Sequence, residues 1–247
     1  MQPDAAPIPT PAASRLTRLR ERYRETGLSV ILALQATIIF VVSPLAGTGH
    51  FSGEVVEALR FSLAAVAILV VNRSRWVGLI VGVTFVVSLV CTMLLRNGLA
   101  GQAVYVANIL VTIAFDLAVA WTVAHAAFDN GRINIHRIMG AVILYLYIGL
   151  IFAGVYRLAA LYLHPGFNGL PDQRRGALSA VLYFSLSTLT TSGYGDITPV
   201  HPFLRSLANL EAVIGQLYPA TFLARLVTLH GAVADPKSGR REPEEGA

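Results

Sequence analysis

The chain has 247 residues, of which 55% are hydrophobic and only 13% charged, and its mean hydropathy is +0.61. A soluble domain carries about 25% charged residues, so the surplus apolar surface must face lipid, which excludes an ordinary soluble enzyme and a disordered chain. The net charge of +5 and isoelectric point near 9.7 do not signal nucleic acid, because the basic residues cluster in short groups between apolar runs, as loops beside anionic headgroups do.

The first 27 residues form a basic N-terminal tail with five arginines, Arg15, Arg18, Arg20, Arg22 and Arg24. Ser14 either caps a short basic helix that lies on anionic lipid at the inner leaflet, or the segment is a solvated topogenic tail. This lead is too long and basic for a cleaved signal peptide. Stretches 26–53, 76–95 and 138–156 carry no Asp, Glu, Lys or Arg. A bilayer-crossing helix needs about 20 mainly apolar residues, and spans are expected at 28–44, 55–71, 76–95, 104–128, 139–163 and 204–230. Glu54, Glu57 and Arg60 sit at the start of the second, where they stack at the interface. The segment 177–190 is too short to cross and rich in hydroxyls, which suits a half-helix that enters and returns inside protein. Cys91 lies within an apolar run and has no second cysteine to pair with.

Six spans place both termini on one side. With that side cytoplasmic it holds 13 basic residues against 6 outside, so the expected topology is a multi-pass cell-membrane protein with both termini inside. After residue 230 the polar stretch 231–247 is too short for a soluble ligand-sensing domain. The resulting divisions are the tail 1–27, a four-span region 28–130, a domain 131–230, and the C-terminal tail 231–247. The fourth span has no arginine or lysine at every third position, so voltage-sensor chemistry is missing. Its only formal charge is Asp116, with His125 near the inner end. Asp116 either pairs with Arg60 or stays protonated, and a structural contact is favoured over a proton sensor.

One stretch stands apart, running Ser185-Leu-Ser-Thr-Leu-Thr-Thr-Ser-Gly-Tyr-Gly-Asp196-Ile-Thr-Pro199. A non-helical loop at membrane depth must line an aqueous path, since lipid leaves its carbonyls unpaired. Gly193 and Gly195 reach positive φ without steric cost. Alternation with Ser192 and Tyr194 would turn successive carbonyls towards one side. Four such chains around an axis would stack oxygen rings able to replace a monovalent cation's hydration shell, and Thr191 would add a hydroxyl ring.

Here the chain resembles the potassium-channel pore family, whose signature T-x-G-Y-G-D follows a pore helix. The matching residues are Thr191, Ser192, Gly193, Tyr194, Gly195 and Asp196. The resemblance covers about 139–230 and implies outer helix, pore helix, filter and inner helix, with K⁺ held at Thr191, Ser192, Gly193 and Tyr194. It departs at Ser192, where the family usually has Val or Ile. The pore sequence is similar to that of two-pore-domain channels, but one filter segment per chain implies a homotetramer. Gly215, 19 residues after Asp196, stands where many members have a hinge glycine, and Pro219 should kink the same helix. Glu211 shares a face with both. If Gly215 backs onto the pore helix, Glu211 either bonds pore-helix hydroxyls such as Ser187 or Thr190 and stiffens the filter, or is a neutral acid tied to a neighbouring span. Gln216 is expected to face the cavity.

The fold expectation is therefore an all-α membrane protein with six transmembrane helices, a re-entrant pore helix and a filter loop, assembled as a homotetrameric pore. Its function would be passive K⁺ conduction, with K⁺ as permeant ion and no cofactor. A weakly selective monovalent cation channel is the alternative because of Ser192. A secondary transporter would show inverted repeats and paired broken helices, and neither is present in the sequence. No Ser/His/Asp set, HExxH or paired catalytic aspartates marks an intramembrane enzyme, and Thr190, Thr191 and Ser192 have no neighbouring base.

Overall fold

The computed structural model describes residues 30, 32–47, 59, 63, 75–97, 101–128, 135–171 and 174–234. The N-terminal tail, nearly all of the second expected span with Arg60, and most of the C-terminal tail lie outside the described residues. Residues 32–47 are helical, passing through a π-helical stretch, Ile38–Val42, into α1, Ser43–Gly47. Then follow α2 (Arg75–Arg96), α3 (Gln102–Phe128), α4 (Ile135–Tyr162), β1 (Phe167–Asn168), α5 (Arg174–Leu189), β2 (Thr198–Pro199) and α6 (Pro202–Ala234).

Among the described residues, two helices are long and apolar enough to cross a membrane, Gln102–His125 and Ile138–Tyr162. Leu32–Leu45, Gly82–Leu95 and Leu178–Leu189 are shorter apolar helical stretches. The last helix is long, 33 residues, but Arg205, Glu211, Gln216 and Arg225 interrupt its apolar run. The apolar side chains of α2 point outward, with Leu79, Val83, Val86, Val90 and Met93 all exposed. A helix that turns its apolar residues away from the protein needs a non-aqueous neighbour.

α2 packs on α3, and the contact contains a buried hydrogen bond from Ser88 Oγ to Asn108 Oδ1 at 3.0 Å. α3 runs along α4 at close range, because a Cβ on Gly154 would lie 2.6 Å from Ile113 Cγ1. Near the end of α4, Arg157 Nε donates to the Tyr105 hydroxyl (3.1 Å) while its guanidinium lies 4.9 Å from that ring's centroid. α5 is held on three sides, by α1, α4 and α6. The core between them is aromatic: Tyr156, Phe167 and Phe184 meet edge to face at 5.1–5.9 Å. Tyr156 and Phe184 are buried and Phe167 is half-buried against them; full burial of a ring such as that of Phe184 contributes about 1.5–3 kcal/mol.

The all-α expectation needs one correction. β1 and β2 form a two-stranded antiparallel ladder, Phe167 opposite Pro199 and Asn168 opposite Thr198. It fastens the loop after α4 to the chain entering α6, and Val200 N–H extends it by donating to Gly166 O at 2.8 Å. α6 starts at Pro202, whose missing N–H and fixed φ suit the first helical turn, and His201 Nδ1 accepts the Phe203 N–H at 3.2 Å. The helix continues through Pro219 to Ala234, so the expected kink does not end it.

Candidate functional site

The site begins where α5 ends. Three backbone N–H groups beyond its last turn still reach back to it: Thr190 to Leu186 O (3.0 Å), Thr191 to Thr188 O (2.9 Å) and Gly193 to Ser187 O (3.2 Å). The last helical residue's carbonyl, on Leu189, accepts the Tyr145 hydroxyl from α4 at 3.0 Å. The loop is therefore anchored rather than free.

Its backbone alternates in hand. φ is +57° at Thr191, +53° at Gly193 and +81° at Gly195, while Ser192 and Tyr194 keep negative φ. The two glycines behave as their side-chain-free backbone allows. Thr191 is a β-branched residue in the left-handed region, an arrangement that costs about 1–2 kcal/mol. Its hydroxyl offsets part of this, donating to Thr190 O (2.7 Å) and accepting from Gln216 Nε2 (2.8 Å). Strain of this kind persists where surroundings over-determine it, and such places are often functional. The Ser192 and Thr190 hydroxyls lie 3.0 Å apart, and Thr190 Oγ1 also donates to Leu186 O.

The end of the loop nearest Asp196 is braced from two directions. Tyr194 stacks on Tyr183 of α5, ring centroids 5.9 Å apart and nearly parallel, and Tyr183 donates to Asp196 Oδ1 at 3.0 Å. On the other side Gly169, at φ +80°, presses against the Asp196 carbonyl so closely that a Cβ there would overlap it. The residues from Thr190 to Asp196 are all exposed in the single chain, Tyr194 by 73%.

Behind α5 the sequence expectation is partly corrected. Glu211 is buried and does face α5, but its partners are Ser185 and Tyr156 rather than Ser187 or Thr190. Ser187 lies about 200° around the helix from Ser185, at 100° per residue, and its hydroxyl bonds Phe184 O instead. Gly215 backs directly onto the end of α5: a Cβ would overlap the Leu189 carbonyl oxygen. Here the glycine serves close approach of two helices. Pro219 is exposed one turn further on.

Sequence reasoning missed Tyr145, Tyr156, Tyr183 and Ser185. The two α4 tyrosines read as ordinary apolar-run aromatics, and only their partners reveal a role. Asp116 is buried on α3, lining a small cavity with Ser43, Thr112, Gly154 and Arg157. His125 packs edge-on against Trp121 at 4.6 Å.

Residues 140–230, which contain all of these braces from α4 to α6, match the family described as ion channel. Protein LctB of Bacillus caldotenax is 33% identical over 111 residues, 43% of this chain and 81% of that protein. Protein LctB of Geobacillus stearothermophilus is 36% identical over 80 residues, 31% of this chain and 59% of that protein. No solved structure matches the chain significantly. At 33% identity across 81% of that protein's length, the chain belongs to the same family as Protein LctB of Bacillus caldotenax, and its residues 140–230 form an ion channel domain.

Proposed function

We propose that the chain is the subunit of a K⁺-selective channel, in which four copies bring residues 191–195 together around one axis. The observation that carries this reading is the alternation of backbone hand at Thr191, Gly193 and Gly195. Left-handed residues at every second position are the stereochemical condition for consecutive carbonyls to face one side, as an ion-coordinating stack requires. Thr191, Ser192, Gly193 and Tyr194 then supply the K⁺ ligands, and Gly195 and Asp196 form the outer mouth. Gln216, already bonded to the Thr191 hydroxyl, stands below the filter with its amide oxygen available to the hydrated ion. Gly215 and Pro219 are the positions about which α6 would bend. The exposed polar loop 190–196 cannot lie against lipid, so it needs further copies and water around it. The remaining helices complete a multi-pass, six-span membrane unit with both termini cytoplasmic, and the basic tail meets anionic lipid.

A weakly selective cation channel is favoured by one specific feature. Ser192 occupies a place where an aliphatic side chain would pack, and its hydroxyl meets Thr190 instead. Purified protein reconstituted in bilayers decides between the two. In opposing K⁺ and Na⁺ gradients the reversal potential is expected to follow the K⁺ equilibrium potential. A reversal potential near zero supports the weakly selective reading, and absence of any cation current removes both.

A further inference from the structure

Three short oxygen–oxygen contacts run in a chain through Glu211 and Ser185, and with Glu211 ionised they do not balance with the hydrogens at hand. The Tyr156 hydroxyl lies 2.7 Å from Oε2, Ser185 Oγ lies 2.5 Å from Oε1, and the same Ser185 Oγ lies 2.7 Å from the Gly149 carbonyl oxygen. All three fall within the range of O–H···O hydrogen bonds, so each needs a hydrogen of its own. Tyrosine and serine hydroxyls supply one each, while a carbonyl and an ionised carboxylate supply none. Two hydrogens cannot fill three contacts. A proton on Oε1 closes the count: the Glu211 carboxyl donates to Ser185, Ser185 donates to Gly149 O, and Tyr156 donates to Oε2. With the carboxyl ionised, Ser185 would turn to Oε1 and leave two oxygen lone-pair sets facing each other at 2.7 Å.

The surroundings agree with that count. Glu211, Ser185 and Tyr156 are each fully buried, and an uncompensated charge there is expensive. From α4, Tyr156 bonds Glu211 and Tyr145 lies within its electrostatic reach, the latter bonded to Leu189 O. From α5 the facing group is the Ser185 hydroxyl, Tyr183 being engaged with Asp196. From β1 the neighbour is the Phe167 ring against Tyr156. On α6 itself Tyr218 bonds Ala141 O. Arg157, next to Tyr156 in sequence, is directed at Tyr105. Among the described residues no cation is recorded against the carboxyl.

We propose that Glu211 is a proton-binding site in the wall of the pore domain, whose bound proton completes a chain of three hydrogen bonds clamping α5 and α6 to α4 behind the loop 190–196. Loss of the proton breaks the Ser185–Gly149 bond and leaves a charge beneath the helix that carries the loop. The channel reading enters only in naming what the clamp steadies: conduction falls as rising pH removes the proton.

The test is infrared difference spectroscopy on the full-length protein in lipid nanodiscs, in H₂O and D₂O. The wild type is expected to show a protonated-carboxyl band that shifts in D₂O and is lost in Glu211→Gln. Asp116→Asn controls for the other acid buried among the described residues and should leave that band in place. Gln keeps all three hydrogen bonds, its amide donating to Ser185 and its oxygen accepting from Tyr156. Should Glu211→Gln not fold, Tyr156→Phe assigns the band instead, moving it to higher frequency by removing one donor to the carbonyl. No band lost in Glu211→Gln, or no movement in Tyr156→Phe, means an ionised Glu211 and overturns the proposal. In flux assays, wild-type conduction should fall over the pH range where the band bleaches, and Glu211→Gln conduction should stay flat. Flux that stays constant while the band bleaches overturns the coupling. A protein that passes no K⁺ at all sinks the channel reading but leaves the infrared result standing.

Discussion

Two glycines at the site have opposite reasons for being glycine, and substitution separates them. A Cβ on Gly193 would meet no atom within 4 Å, so alanine there suffers only from its φ of +53°. That costs about 1–2 kcal/mol, which the fold should survive. A Cβ on Gly215 would instead overlap the Leu189 carbonyl, a backbone atom that cannot step aside. Gly215→Ala must push α6 away from α5, and overpacking of this kind costs about 1–3 kcal/mol or more. The expected outcome in thermal melts is a clear drop for Gly215→Ala and a small one for Gly193→Ala. In flux assays Gly193→Ala nonetheless loses K⁺ conduction, since the loop's alternation is disturbed. Wild-type flux through Gly193→Ala would remove these residues from the ion path.

At the scale of elements, α5 does most of the positioning. Its C-terminal end is held by Tyr145, the loop just beyond it by Gln216, its buried face by Ser185 and Glu211, and its exposed face carries Tyr183, which reaches both Tyr194 and Asp196. Tyr183→Phe keeps the ring stack and removes one solvent-exposed hydrogen bond to a carboxylate, which water largely replaces. The melting temperature should therefore hardly move. Sustained K⁺ flux should fall, because Asp196 loses its tie to the helix that orders the loop. Equal flux in wild type and Tyr183→Phe would mean that β1, β2 and Gly169 alone hold the Asp196 end of the loop.

At the scale of the whole molecule, a single chain exposes the loop 190–196 on one side and a largely apolar surface on α2. The first requires polar neighbours and the second a hydrocarbon one. The tetramer proposed above would satisfy both, its closed four-fold symmetry setting the loops at the axis and α2 at the rim. Native mass spectrometry from detergent should give a particle of four times 26.5 kDa. A monomer or dimer that still conducts would contradict the arrangement.

Much of this architecture was legible before any coordinates. Long charge-free runs announce helices because lipid and helix interiors exclude the same residues, and the ends of α3 and α4 lie within a few residues of their expected places. The Thr-Ser-Gly-Tyr-Gly-Asp stretch announced its loop, since only glycine takes left-handed φ without cost. What one-dimensional reading lacked was rotation. Whether Glu211 meets Ser185 or Ser187 depends on which way two helices face, a matter of packing among Phe167, Phe184 and Tyr156 far apart in the chain. For the same reason Thr191's left-handed backbone, and the hydroxyl pairing with Gln216 that supports it, came only from the folded arrangement. Composition and spacing determined the elements and the loop's chemistry; tertiary contacts chose each buried polar group's partner, because a helix exposes every side chain to some direction and only its neighbours decide which.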